Sequence, residues 1–469
     1  MFRGQNDVRA NLPDTFIANM QQLLGTDSNL FLQSFDMPRT FGLRLNPLKL
    51  AALPEAVMEQ LPVKFGLEPV SWCKAGYYYE ESSRPGKHPY HAAGLYYIQE
   101  PSAMTAAELL DPQPGELVLD LAAAPGGKTT QIAGKMAGQG LLVSNEIHPG
   151  RAKILSENVE RCGIVNAIVT CAAPDELSRR FPAFFDRIML DAPCSGEGMF
   201  RKDENAIAEW SPAHVAMCAA RQNDILQHAA IMLKPGGRLV YSTCTFNKQE
   251  NEETIQLFCS QHPQFEWVAS ERIWPHLARG EGHFVAVLQK SADAPDNALL
   301  SEARTAKSRS KGKSGQAKNN DVNDMLAFYD FTKTALPHMP RLEAGEPVRF
   351  GDALYWLPSP SAEARIAADR LHGLKVLRPG LHLGDMRKNR IEPAHALAMS
   401  LQAADAAWHQ SCSADSDEAA AFLRGETIPA LDGAAGWGIV AVDGLPIGWG
   451  KASGGQVKNH LPKGLRRTY

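Results

Sequence analysis

Two cysteines stand in settings that suit a nucleophile. Cys194 lies in Asp-Ala-Pro-Cys-Ser-Gly-Glu-Gly-Met (191–199) and Cys244 in Ser-Thr-Cys-Thr-Phe (242–246), each directly after a run of strand-forming residues. A free thiol taken alone reads as a small, buried, inert hydrophobe. Pro193, Gly196 and Gly198 nevertheless make the first segment a turn rather than a core strand, beside the carboxylate of Asp191. If both strands belong to one parallel sheet, both thiols reach the carboxyl ends of strands, where open α/β sheets gather their ligands. A third segment, Leu117 to Thr130, reads as a strand, a small-residue turn (Ala122, Ala123, Ala124, Pro125, Gly126, Gly127) and a helix opening near Lys128. Such a loop lets backbone N–H groups approach a polar ligand closely. It is not a P-loop, which needs Gly in place of Ala122, and it lacks the G-x-G-x-x-G dinucleotide fingerprint. Glu146 ends the next strand 26 residues after Asp120, about where an acid reaches a pair of ribose hydroxyls. An adenosine-type cofactor fits this set; a tight turn without a ligand is the plainer alternative.

A nucleophilic thiol, a carboxylic acid and an adenosine-bearing methyl donor together match one reaction, methylation of carbon 5 of a pyrimidine. Carbon 5 is a poor nucleophile. Thiolate attack at C6, assisted by an acid at N3, converts the ring to an enamine whose C5 accepts a methyl group. A base then removes the C5 proton and the thiol leaves.

These residues need a scaffold. Strand-like runs at Leu117–Leu121, Leu141–Ser144, near Ala167–Thr170, Arg187–Leu190 and Arg238–Ser242 alternate with amphipathic stretches such as Ala213–Leu233, the rhythm of a parallel, helix-covered sheet. Residues 96–290 are therefore read as an α/β domain and residues 1–95, with a helical start and a tyrosine-rich cluster, as a small α+β region. Residues 291–323 have the composition of a basic linker. Beyond it, 324–400 and 401–469 read as small modules, with strand-like pieces at Val348–Leu357, Trp437–Val442 and Leu445–Gly448. At 469 residues the chain has room for about three domains. A formal charge of −4 gives no global argument for a polyanionic partner, so any such argument rests on local basic patches. The first twenty residues lack a signal-peptide pattern and no apolar run is long enough to span a bilayer, which predicts a cytoplasmic protein. Eight cysteines without a C-x-x-C pair, and histidines such as His88, His91 and His382 without paired ligand spacing, predict no metal site. Oligomeric state is silent in the sequence.

Pro-Gly-Gly-Lys-Thr (125–129), Asp-Ala-Pro-Cys-Ser-Gly-Glu-Gly (191–198) and Ser-Thr-Cys-Thr-Phe (242–246), in that order, resemble the motifs of the NOL1/NOP2/Sun family of RNA cytosine-5 methyltransferases. Arg-Leu-Asn-Pro-Leu-Lys (44–49) and Tyr-Ile-Gln-Glu-Pro-Ser-Ala (97–103) resemble further elements, so the likeness runs from about residue 8 to 290. It implies a Rossmann-like methyltransferase core with S-adenosyl-L-methionine as donor, Cys244 as nucleophile on C6, Asp191 at N3 and also near the donor, and Cys194 assisting product release. The donor would lie on residues 122–128, Glu146 and Asp191. Ala122 replaces a usual Cys. Ala173 stands where the family places an acid near the adenine, with Asp175 as a possible substitute. Gly-Trp-Gly-Lys (448–451) and Lys-Asn-His-Leu-Pro-Lys-Gly-Leu-Arg-Arg (458–467) resemble the PUA-like RNA-binding module of the family's F-type branch, which acts on 16S ribosomal RNA and suggests the decoding region. RNA contacts are accordingly expected at Arg44, Asn46, Lys451, Lys458, Lys463 and Arg466, with Trp437 and Trp449 as stacking faces. Two other readings stay open, the same reaction on transfer RNA and a non-catalytic RNA-binding assembly factor.

Overall fold

The computed structural model describes residues 8–295, 317–342, 344–359, 368–388 and 390–467. Its centre is an eight-stranded sheet built from β1 (Leu117–Asp120), β2 (Leu141–Asn145), β3 (Ala167–Thr170), β4 (Phe185–Asp191), β5 (Leu233–Thr243), β6 (Phe265–Ile273), β7 (His283–Lys290) and β8 (Val376–Arg378), in spatial order 6-7-5-4-1-2-3-8. The first five strands are parallel and β7 runs antiparallel beside β5. Side chains alternate between two buried faces. Leu119, Ile188, Leu239 and Tyr241 pack on one side, and Val118, Leu142, Val169, Met189 and Val240 on the other. The strand order reverses between β1 and β4, which opens a crevice at their carboxyl ends.

Helices cover both faces, among them α1 (Gly127–Lys135), α2 (Pro149–Arg161), α3 (Pro174–Arg180), α4 (Pro212–Met232) and α5 (Glu252–Gln261). Helix α4 starts where the sequence says it should: Ser211 accepts from the His214 N–H and Pro212 fills the first turn. No helix among the described residues is long and apolar enough to cross a membrane.

An N-terminal sheet has the order Glu68–Pro69, Gly76–Tyr78, Gly42–Leu45, Tyr96–Ile98. Its last strand lies past the expected 95/96 boundary, because Tyr96–Ile98 pairs antiparallel with Gly42–Leu45. The expected single run Val348–Leu357 is a hairpin of Gly345–Phe350 and Ala353–Pro358, turned at Gly351 (φ 61°) and Asp352. Residues 317–323, assigned to the linker, begin a helix, Ala317–Ala335; the basic run at 304–318 lies mostly outside the described residues. Strand β8 was not foreseen. It comes from residues 376–378, beyond the stretch expected to be a linker, and extends the central sheet by pairing antiparallel with β3. The C-terminal sheet, spatial order His409–Cys412, Gly436–Val442, Leu445–Ser453, Gln456–Asn459, Ile428–Pro429, shares one hydrophobic core with the N-terminal sheet: Leu43, Phe65 and Tyr96 pack with Phe422, Val442 and Val457.

Candidate active site

The two sulfurs meet. Cys194 Sγ lies 3.4 Å from Cys244 Sγ, and both residues are partly exposed. Parallel pairing of β4 and β5 sets Asp191 beside Ser242, and the loops that follow are bonded to each other: Ala192 N donates to Ser242 O and Gly198 N to Cys244 O, both at 2.8 Å. A Cβ at Gly198 would meet the carbonyl oxygens of Cys244 and Gly282 at 3.0 Å, so this approach needs glycine. Beneath the sulfurs two buried carboxylates tie the loops. Glu250 accepts from Ser195 N (2.9 Å), Gln222 Nε2 (3.0 Å) and Asn247 Nδ2 (2.8 Å). Glu197 accepts from Phe246 N (2.7 Å), Asn247 N (3.0 Å) and Trp210 Nε1 (3.1 Å), and burial pushes its carboxyl above the usual range. The Cys194 thiol is pushed well up by its hydrogen bond with Cys244 and by burial, so it holds its proton.

Asp191 faces the same crevice. Burial alone would raise its carboxyl, but Lys128 Nζ at 2.8 Å and a hydrogen bond from Ser242 Oγ at 2.8 Å outweigh burial and hold it below the usual carboxylate range. The acid expected at N3 is therefore ionised, and the cation beside it is Lys128, a residue expected only in the donor loop. His283, on β7, places its buried and unpartnered Nε2 3.9 Å from Asp191 Oδ1. Burial brings that imidazole down to about 4.

Three carboxylates end adjacent strands: Asp120 on β1, Glu146 just past β2 and Asp191 on β4. Asp120 is fully buried; Oδ2 accepts from Thr129 Oγ1 at 2.6 Å while Oδ1 has no partner, and burial pushes the carboxyl up to about 7. Glu146, 3 % exposed, accepts from His148 N at 2.9 Å and lies 3.5 Å from Arg151. The loop between them, with Gly126 left-handed at φ 116°, is pinned from outside: Arg151 donates to Ala124 O and Asn158 to Pro125 O. An unpartnered buried acceptor and a row of acids at the switch point suit a ligand with hydroxyl donors and a positive charge, as an adenosine sulfonium has.

Several expected RNA residues are elsewhere. Arg44 is buried and donates to Gln99, Gly127 O and Thr130 Oγ1; Asn46 is buried, caps a short helix and donates to Gly94 O and Cys162 O. Both weld the N-terminal sheet to the core instead of facing RNA. Trp449 is 1 % exposed and donates to Ala394 O, so it offers no stacking face. Asp175 is partly exposed and paired with Arg179 on its own helix, with nothing that directs it to an adenine. Trp437, Lys451 and Lys458 are cross-strand neighbours on one face of the C-terminal sheet, with Lys451 Nζ 5.1 Å from the Trp437 ring; Lys463 and Arg466 are exposed nearby in the chain. Asp120, Glu197, Glu250 and His283 were not singled out as site residues. Asp120 carried a signal, an acid closing a strand before a glycine-rich turn, whereas the burial of the others depends on partners far along the chain. Among the described residues no group of three or more His, Cys, Asp or Glu is placed to hold a metal.

Four family models match the chain: 16S rRNA methyltransferase RsmB/F over residues 107–289, the N-terminal domain of 16S rRNA methyltransferase RsmF over 12–101, the RsmF rRNA methyltransferase first C-terminal domain over 330–401 and the methyltransferase RsmF PUA domain over 410–467. The chain is similar to ribosomal RNA small subunit methyltransferase F of Aeromonas salmonicida, at 32 % identity over 97 % of each protein, and to that of Vibrio vulnificus, at 33 % identity over 97 % of this chain and 98 % of the relative. Its likeness to the Pectobacterium carotovorum protein of the same name, at 38 % identity, spans 61 % of this chain and 64 % of that relative. Among solved structures, a methyltransferase homolog protein from Pyrococcus horikoshii is 28 % identical with a TM-score of 0.53, covering 61 % of this chain and 98 % of that one.

Proposed function

Because the chain belongs to the RsmF family of 16S rRNA methyltransferases, we propose that it transfers a methyl group from S-adenosylmethionine to C5 of a cytosine in 16S ribosomal RNA, in the decoding region, through a covalent bond between Cys244 and C6. The observation that carries this reading is the 3.4 Å approach of Cys194 and Cys244 beside the Asp191–Lys128 pair.

When bound, S-adenosylmethionine supplies an electrophilic methyl group on a cationic sulfur. Asp120, Glu146, Asp191 and the 122–128 loop would hold it. Cys244 adds to C6, and the electron pair displaced from the C5–C6 double bond makes C5 nucleophilic. The ionised Asp191 accepts from the exocyclic amino group next to N3, and Lys128 supplies the proton that N3 takes up. Cys194, still protonated, donates to the Cys244 sulfur and supports its negative charge both on attack and on departure. A base takes the C5 proton, the C6–S bond breaks, the ring recovers its C5–C6 double bond and N3 returns its proton to Lys128. The target base must leave its stack, since a stacked ring does not present C6 to a thiolate. The Trp437, Lys451 and Lys458 face supports RNA as the substrate through a stacking ring and phosphate-seeking charges.

Cys244→Ala is expected to abolish incorporation of labelled methyl groups, and Cys194→Ala to accumulate a protein–RNA adduct that survives denaturing electrophoresis. Normal turnover by the Cys194 variant with no adduct would falsify the assigned roles. Incorporation into naked 16S RNA, assembled small subunits and transfer RNA, compared side by side, identifies the substrate; preference for transfer RNA overturns the ribosomal assignment, and no incorporation into any RNA favours a binding module.

A further inference from the structure

We propose that the groove between the N-terminal sheet and the loop following β6 seats the unpaired RNA strand flanking the target base, an inference that rests on the RNA-methyltransferase reading above. The groove encloses about 470 Å³ and runs from Met37–Phe41 and Tyr79 on one wall to Pro275–Arg279 on the other. Its chemistry is that of a single-strand RNA seat, with π faces interleaved with guanidinium groups. The Phe41 and Tyr79 rings lie 5.7 Å apart, and the exposed Arg39 guanidinium lies 5.7 Å from the Phe41 centroid. On the far wall the Arg279 guanidinium stacks 4.0 Å over Tyr78.

Two further features distinguish this groove from an ordinary solvated cleft. Both rims carry large exposed apolar side chains, Met37 at 62 % and Leu277 at 72 % exposure, suited to contact the face of an unstacked base. Two carboxylates beside the groove are engaged by arginines, Glu281 by Arg201 at 2.7 Å and Glu68 by Arg279, while the exposed Arg39 on the opposite wall is placed to attract phosphate.

The groove also lies near the loop that carries Cys244. Thr40 N donates to Glu281 Oε1 at 2.9 Å, and a Cβ on Gly198 would meet Cys244 O, Gly282 O and Glu281 O within 3.3 Å. One layer of residues therefore separates the groove wall from the loop carrying Cys244. A cytosine turned out of its stack leaves neighbouring bases without a stacking partner, and the Phe41 and Tyr79 rings of the groove supply one.

The test uses the full chain, a mixed-sequence single-stranded RNA of about 12 nucleotides, and two variants on opposite walls, Arg39→Glu and Leu277→Ser. Both sites are exposed, so folding is not at stake. Arg39→Glu is expected to weaken RNA binding by about tenfold and to flatten the plot of log affinity against log salt by about 0.7. Leu277→Ser weakens binding with an unchanged salt slope. In methyl transfer both raise KM and leave kcat close to wild type, and a 4-thiouridine beside the target cytosine crosslinks to 37–41 or 276–279. Unchanged affinity and KM in both variants, or crosslinks confined to the C-terminal sheet, overturn the proposal. Binding readouts need no turnover, so a wild-type protein that binds RNA here yet methylates none refutes the catalytic reading and spares the groove. RNA that does not bind the wild-type groove, with a protein segment occupying it instead, refutes the groove alone.

Discussion

Asp120 shows how much the site asks of a single side chain. Its carboxyl is sealed from solvent with one oxygen unpartnered, and burial moves it from 3.8 to about 7. Between those values the folded chain binds a proton that the unfolded chain has released, so Asp120 makes stability fall as pH rises through that interval and level off above about 7. Asp120→Asn removes the penalty. Urea midpoints of wild type and variant are expected to converge toward acid pH and separate in the variant's favour toward neutrality; parallel curves would show that the carboxyl is not shifted. Asp191 has the opposite sign. With Lys128 holding its carboxyl down, its stabilising contribution is present above the ordinary aspartate range and is lost as pH falls through its lowered value. Two acids ending adjacent parallel strands thus titrate in opposite directions, one displaced by burial and the other by a cation at 2.8 Å.

At the scale of elements, Arg44 ties a strand of the N-terminal sheet to the first turns of α1, reaching Gly127 O at 3.1 Å and Thr130 Oγ1 at 2.7 Å. Arg44→Ala leaves buried acceptors unpaired and is expected to cost about 2–4 kcal/mol, read from urea unfolding, and to weaken donor binding because α1 opens from the donor loop. Arg44→Lys is expected to recover little, since one ammonium cannot span Gln99, Gly127 and Thr130; full recovery would reduce Arg44 to a point charge. The same elements show what could be read from the chain alone. β3 was legible at Ala167–Thr170 because buried parallel strands are short continuous apolar runs, and the convergence of Cys194 with Cys244 followed from each thiol trailing such a run. Burial of Arg44, Asn46 and Trp449 was illegible, because a cation, an amide and an indole look the same in sequence whether their partners are solvent, RNA or a carbonyl far along the chain. Strand β8 was missed for a related reason: three residues at a sheet edge take their conformation from β3, about two hundred positions earlier.

Across the whole molecule, the central domain is joined to segments that follow residue 323. Val376 pairs with Thr170, Arg378 reaches Glu160 at 2.6 Å, and His395 Nδ1 lies 2.8 Å from the same carboxylate. A protease site introduced between residues 296 and 316, once cut, is expected to leave two fragments that elute together on size exclusion and retain methyl transfer; separation in native buffer would mean that these joints are too weak to hold. The core shared by the first and last sheets has a consequence in time. During translation Leu43, Phe65 and Tyr96 emerge long before Phe422, Val442 and Val457, the residues that cover them. A nascent chain must therefore shelter an uncovered apolar surface until residues 422–457, more than three hundred positions later, have been made.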